Sequence, residues 1–249
     1  LDQVLLAAGG AWQLAWAAAV IFVAYALRGA TGFGAGVVSI PLLLLVLSLE
    51  VVIPLVTAMG MIASLGQAVH QRRSVDWQAV RGLLVPSLVG VAAGLWLFAA
   101  VDPQRLLRAL ALFIIGTALW GYLPRRVVRP APRWLGAIAS ALGGFVATVF
   151  GGMAGPLYVV YLRMRALDKT RFRATMSLAL LCLSGLRAGG YGGLGFYDAR
   201  VLWLLAASLP VVAAAMVAGE RWHARLDEAR FAHVVAALLA LSGAALLFK

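Results

Sequence analysis

AWQLAWAAAVIFVAYALRGATGFGAGVVSIPLLLLVL, residues 11–47, carries a single charge, Arg28. Its opening, Ala11–Leu27, has no charge at all. As a helix it is long enough to reach through most of a bilayer, because about 20 apolar residues span a hydrocarbon core of about 30 Å. The pattern then changes. Gly29-Ala30-Thr31-Gly32-Phe33-Gly34-Ala35-Gly36 interrupts the apolar run, and Ala35–Leu47 behind it is short for a crossing. It also contains Pro41, which lacks the backbone donor a helix interior needs. The stretch reads as a membrane helix that breaks and resumes as a shorter piece.

The same signature recurs. Gly151-Gly152-Met153-Ala154-Gly155 leads into Pro156, and Met153–Leu162 is again short. Pro41 and Pro156 lie 115 positions apart, and the same shift brings Gly29 onto Gly144 and Gly36 onto Gly151. Working outward, the apolar segments are Leu5–Leu27, Ala35–Leu47, Val51–Val69, Gly82–Val101, Leu106–Leu123, Trp134–Val149, Met153–Leu162, Ala174–Gly189, Val201–Gly219 and Phe231–Phe248. They form two five-segment units, residues 5–123 and 134–248. The basic, proline-rich linker 124–133 joins them. The expected fold is an all-α polytopic membrane protein of two repeats, each a broken helix pair plus three spanning helices.

Charge orients the repeats. If each broken pair enters and returns on one side, each half crosses an odd number of times and the halves are inverted. Loops 70–81, 124–133, 163–173 and 220–230 then share a side and hold 15 of the 21 Lys and Arg. Cytoplasmic loops favour Lys and Arg, so both termini are expected outside, in the periplasm of a bacterial inner membrane. A single crossing at each break would strand four or five positive charges outside, and that arrangement is rejected. The first twenty residues lack the basic start and cleavage site of a secretory leader.

Composition agrees. The 249 residues are 63% hydrophobic and 12% charged, well outside the soluble globular range. The net charge of +12 sits in short loops between apolar segments, which points to topology and to anionic lipid headgroups rather than to nucleic acid. Cys182 is the only cysteine, so no internal disulfide forms, and no metal or cofactor motif is present. The oligomeric state stays open, a homodimer included.

Backbone interrupted at membrane depth must line a cavity or contact protein, because lipid satisfies neither its N–H nor its C=O groups. Exposed helix N-termini and glycine-rich backbone can hold an anion there, although glycines also serve simply to pack helices tightly. The candidate substrate-binding residues are therefore Arg28, Gly29, Thr31, Gly32, Gly34 and Gly36 at the first break, and Gly151, Gly152, Met153 and Gly155 at the second. Arg28 has no carboxylate near it in sequence. An arginine at membrane depth usually has a partner or a task, unless it snorkels to an interface. Arg187, and His70 as its match in the first half if the second repeat carries a two-residue insertion, face either the path or the headgroups. Thr57, Ser64 and Gln67, with Thr175, Ser177 and Ser184, offer hydroxyls and an amide on the helices after the breaks. All nine acidic residues fall in loops or at segment ends, which argues against a cationic substrate and for an anion.

At these residues the chain resembles the sulfite exporter TauE/SafE family of membrane permeases. The resemblance rests on Gly29 to Gly36 running to Pro41, on Gly151 to Pro156 with Tyr161-Leu162, on Phe172-Arg173-Ala174-Thr175, and on His70 with Val75-Asp76-Trp77. It covers residue 15 onward. Val149 stands where the pattern has glycine, and Leu157 where a second proline is common. The resemblance implies an inner-membrane permease for sulfite or small organosulfonates such as sulfoacetate. Against export of such an anion stand an importer or a channel using the same site. An intramembrane enzyme with Ser184 or Cys182 as nucleophile and His70 as base has no G-x-S-x-G or H-E-x-x-H pattern behind it, and no catalytic role is assigned.

Overall fold

The computed structural model describes residues 10–32, 34–121, 133–153, 155–163, 165 and 167–222. The tenth expected segment, Phe231–Phe248, and all but the last residue of the linker lie outside them. Regular structure among the described residues is helical throughout: α1 (Ala11–Thr31), α2 (Ala35–Leu43), α3 (Leu49–Gln71), α4 (Trp77–Ala100), α5 (Pro103–Gly121), α6 (Arg133–Val149), α7 (Gly155–Arg163), α8 (Lys169–Gly193) and α9 (Ala199–Trp222), with one 3-10 turn at Arg72–Ser74. Helices α1, α3, α4 and α9 are long and apolar enough to cross a membrane. The short helices are not. Nine residues each, α2 and α7 rise only about 13 Å.

Several helices start earlier than their apolar blocks, and aspartates explain why. Asp76 accepts from the Ala79 N–H at 2.9 Å, Asp102 from Gln104 at 2.9 Å, Asp168 from Thr170 and Arg171 at 3.0 Å, and Asp198 from Val201 at 2.8 Å. Each satisfies an orphan donor in a first helical turn and places negative charge at the positive end of the helix dipole. So α4 begins at Trp77 rather than Gly82, and α8 at Lys169 rather than Ala174. Four of the nine acidic residues are thereby engaged as helix caps.

The chain divides into two compact units that do not follow the sequence halves. One comprises Leu1–Leu55, Val101–Arg125 and Tyr197–Lys249; the other comprises Val56–Ala100 and Arg126–Phe196. Each draws on both halves.

In the first unit α2 folds back along α1. The Trp16 indole, near the start of α1, donates to the Leu42 carbonyl at 3.1 Å, near the end of α2. Helix α1 also crosses α9 closely. A methyl group on Gly29 would overlap the Met216 backbone, and one on Gly219 would overlap that of Ala26. Small residues of this kind let membrane helices approach to backbone contact.

The second unit repeats both features. Gly136, in the first turn of α6, lies against the Tyr161 ring at the end of α7, and Gly143 lies against the Tyr158 ring. The short helix again returns toward the end where its partner began. Helices α4 and α6 run in the same direction, because Gly90 meets Ala141 and, a turn later, Gly94 meets Phe145 and Thr148. At their starting end the Tyr161 hydroxyl donates to the Ala79 carbonyl (3.3 Å), and the Asp76 N–H donates to Thr175 Oγ1 (3.0 Å). The first turns of α4 and α6, the second turn of α8 and the last turn of α7 therefore share one end of this unit.

The 115-residue shift holds for the crossing residues, Ala26 with Ala141 and Gly29 with Gly144. It does not hold beyond them. Helices α2 and α7 start 120 residues apart, and so do α3 and α8. The extra five arise locally: α6 runs three residues farther past its crossing glycine than α1 does, and the following connection is two residues longer. Pro41 and Pro156 are consequently not equivalent. Pro41 sits in the last turn of α2, whereas Pro156 is the second residue of α7, a first-turn position where a missing N–H costs nothing. A shift of 120 also aligns Thr57 with Ser177, Ser64 with Ser184, and Gln67 with Arg187. At that shift Gln67, rather than His70, falls on Arg187.

Candidate functional site

The second break is built around the end of α6. Gly151 and Gly152 take φ of 67° and 93°, left-handed values that turn the chain out of the helix and that side chains resist. The Gly152 N–H donates back to the Ala147 carbonyl at 2.7 Å. That carbonyl also accepts from Arg187 Nη1, and the Thr148 carbonyl accepts from the Tyr191 hydroxyl. Two side chains one turn apart on α8 thus hold the last carbonyls of α6. A cation placed there also meets the negative end of the helix dipole.

Arg187 is only 3% exposed. Its Nε donates to the Leu183 carbonyl at 3.2 Å, and its Nη2 to Ser184 Oγ at 3.0 Å. Guanidinium has five N–H donors. Three bonds use three of them and leave two, one on each terminal nitrogen. No carboxylate is paired with it among the described residues; Arg171 and Asp168, by contrast, form an ion pair on an exposed surface at 3.6 Å. Both terminal nitrogens face Gly152: a Cβ built there would lie 3.8 and 4.0 Å from them. Chemically this is a buried positive fork beside a residue without a side chain.

At the first break, Arg28 is 6% exposed and lies in the last turn of α1. Gly32 closes that helix with φ 87°, donating to the Arg28 carbonyl at 2.6 Å, and Gly34 follows with φ 93°. Gly29 is turned to the α9 backbone, so helix packing accounts for it. Gly36 is buried in the first turn of α2. The Thr31 and His70 side chains lie outside the described set.

The remaining candidates divide. Ser184, Arg187 and Gly152 come together, with Gly151 next in the chain; Met153 is buried and Gly155 opens α7. Gln67 is buried with no hydrogen-bond partner for Oε1 among the described residues, and the same holds for Thr57 Oγ1. Thr175 is occupied by Asp76, and Ser64 donates to the Gly60 carbonyl one turn back at 2.8 Å. Tyr191 was not anticipated. Its signal was available, since it follows Arg187 by four residues and so shares its helix face.

No curated protein and no solved structure matches the chain. A family model described as "Sulfite exporter TauE/SafE" matches residues 17–246, from within α1 to near the last residue. The match takes in both breaks and every candidate residue, and the chain belongs to the TauE/SafE family of sulfite exporters.

Proposed function

We propose that this protein exports a small sulfur oxyanion, sulfite or an organosulfonate such as sulfoacetate, across the bacterial inner membrane. Membership of a transporter family for sulfur anions supplies the class. The observation that carries the anionic charge is Arg187, a buried guanidinium with no carboxylate paired to it among the described residues. A buried cation without a counter-ion is costly, and an anionic cargo supplies that counter-ion. Export suits the energetics as well. A negative interior favours exit of a monovalent anion by about 2.3 kcal/mol per 100 mV, with no coupling ion required.

Two inverted repeats, residues 5–123 and 134–248, are the architecture we assign to this transport. Support comes from the way each short helix turns back along its partner, and from the matched glycine crossings. The shared end of α4, α6, α7 and α8 carries Arg73, Arg81, Arg165 and Arg171, in keeping with a cytoplasmic face and periplasmic termini. Lipid headgroups meet those basic loops. Our substrate-binding candidates are, in the first unit, Arg28, Gly32 and Gly34 and, taken separately in the second unit, Gln67, Gly151, Gly152, Ser184 and Arg187.

Counterflow in proteoliposomes tests the reading. Vesicles preloaded with unlabelled sulfite or sulfoacetate should accumulate the labelled anion transiently, and chloride preloading should not drive it. Flux without trans-stimulation points instead to a channel. Absence of flux for sulfite, sulfoacetate and thiosulfate alike contradicts the proposal.

A further inference from the structure

The two unused N–H groups of Arg187 sit in a specific place. The three that are used fix the plane of the guanidinium: Nε is tied to its own helix at Leu183, Nη1 to the end of α6 at Ala147, and Nη2 to Ser184. The two left over belong to the terminal nitrogens, which are the atoms that face Gly152. Gly152 itself offers no side chain there, and its φ of 93° keeps it so, because a Cβ would strain the backbone. Gly152 is itself only partly covered, whereas the arginine is 3% exposed. A rigid, desolvated pair of donors beside a residue with no side chain fits an acceptor with two oxygens better than a spherical ion.

We propose that the terminal edge of Arg187 beside Gly152 is the seat of the transported oxyanion, binding two oxygens of a sulfite or sulfonate head through one N–H on each nitrogen. The chemical identity of the ligand rests on the transport reading above; the existence of a two-oxygen seat does not. Ser184 is a positioning residue here, holding Nη2 in plane. The same arginine also caps α6, so an anion arriving at the seat bears on the group that holds the second break in place.

Binding to the purified protein in detergent tests this, by calorimetry with sulfite, sulfoacetate, sulfate and acetate, and with bromide as the spherical comparison. The wild-type protein should bind oxyanions more tightly than bromide. Arg187→Lys keeps a charge able to cap Ala147 but loses the fork, and should weaken sulfoacetate about tenfold or more while changing bromide little. If Arg187→Lys is not monodisperse, Ser184→Ala replaces it, with an expected loss of about threefold for oxyanions, a modest part of one charge-assisted bond. Unchanged oxyanion affinity in the folded variant overturns the seat, as does a wild-type protein that binds no anion of the panel. Binding as expected with no flux in proteoliposomes keeps the seat and removes the transport reading. Flux that survives Arg187→Lys undiminished, with binding unchanged, removes the seat and keeps transport.

Discussion

The two broken helix pairs begin alike and end differently. In each, a long helix carries an alanine and, three residues later, a glycine that meets another helix backbone to backbone: Ala26 and Gly29 against α9, Ala141 and Gly144 against α4. In each, a nine-residue helix folds back along its partner. The difference lies in how the long helix is closed. α1 stops two residues after its crossing glycine, with Gly32 donating to the Arg28 carbonyl and the arginine on the helix itself. α6 runs a turn farther, and its last carbonyls are held by Arg187 and Tyr191 from α8. Similar backbone plans thus place their arginines on different elements. A sequence shift that aligns the glycines cannot align the cations.

Substitutions that separate crossing from closure sharpen this comparison. The largest effect is expected at the crossings. Gly90→Val would drive a branched side chain into the Ala141 carbonyl, and Gly219→Val into that of Ala26. Overpacking of this kind costs about 1–3 kcal/mol even where side chains can yield, and backbone yields less, so neither variant should give monodisperse protein by size exclusion. Gly66→Ala and Gly116→Ala, which meet nothing within 4 Å, should leave the yield intact.

Closure comes next. Arg28→Ala should lower sulfoacetate flux severalfold while far-ultraviolet circular dichroism stays unchanged, and flux equal to that of the parent would remove Arg28 from the candidate set. Tyr191→Phe deletes the donor to the buried Thr148 carbonyl and should cost about 1–3 kcal/mol. Thermal unfolding should register that as a fall of several degrees. If the second break needs no such tie, the melting temperature will not move.

Smaller effects belong to the loops. Asp168→Ala removes the acceptor for two N–H groups at the start of α8, and about 1 kcal/mol should go with it. Arg171→Ala breaks only the exposed pair with Asp168 and should change stability by less than about 0.5 kcal/mol. A loss at Arg171 as large as that at Asp168 would show that the pair, not the cap, is what matters there.

Much of this was legible in the chain. Hydrophobic block length and the two glycine interruptions are strong signals, so α1 to α9 fall within a few residues of expectation except where an aspartate cap extends a helix into polar sequence, as Asp76 and Asp168 do. The short α2 and α7 were visible from length alone. The five residues gained around the second break were not, because glycine and proline recur at 115 while the helices behind them recur at 120. That slip hid the match of Gln67 with Arg187. The task of Gly29 was equally hidden: a glycine that packs and a glycine that binds look the same until the opposing backbone is seen. Arg187 could be singled out by its charge in an apolar helix, but its bonds to Ala147 and Ser184 depend on tertiary packing.

The sharpest test concerns the return of the second short helix. Trp134, in the first turn of α6, and Arg171, at the start of α8, are both exposed and bracket the whole broken pair. In a Cys182→Ser background, single cysteines at Trp134 and Arg171 should both resist a membrane-impermeant maleimide in intact cells and both react once the membrane is opened. Labelling of one but not the other in intact cells would make α6 and α7 a single crossing and contradict the inverted arrangement.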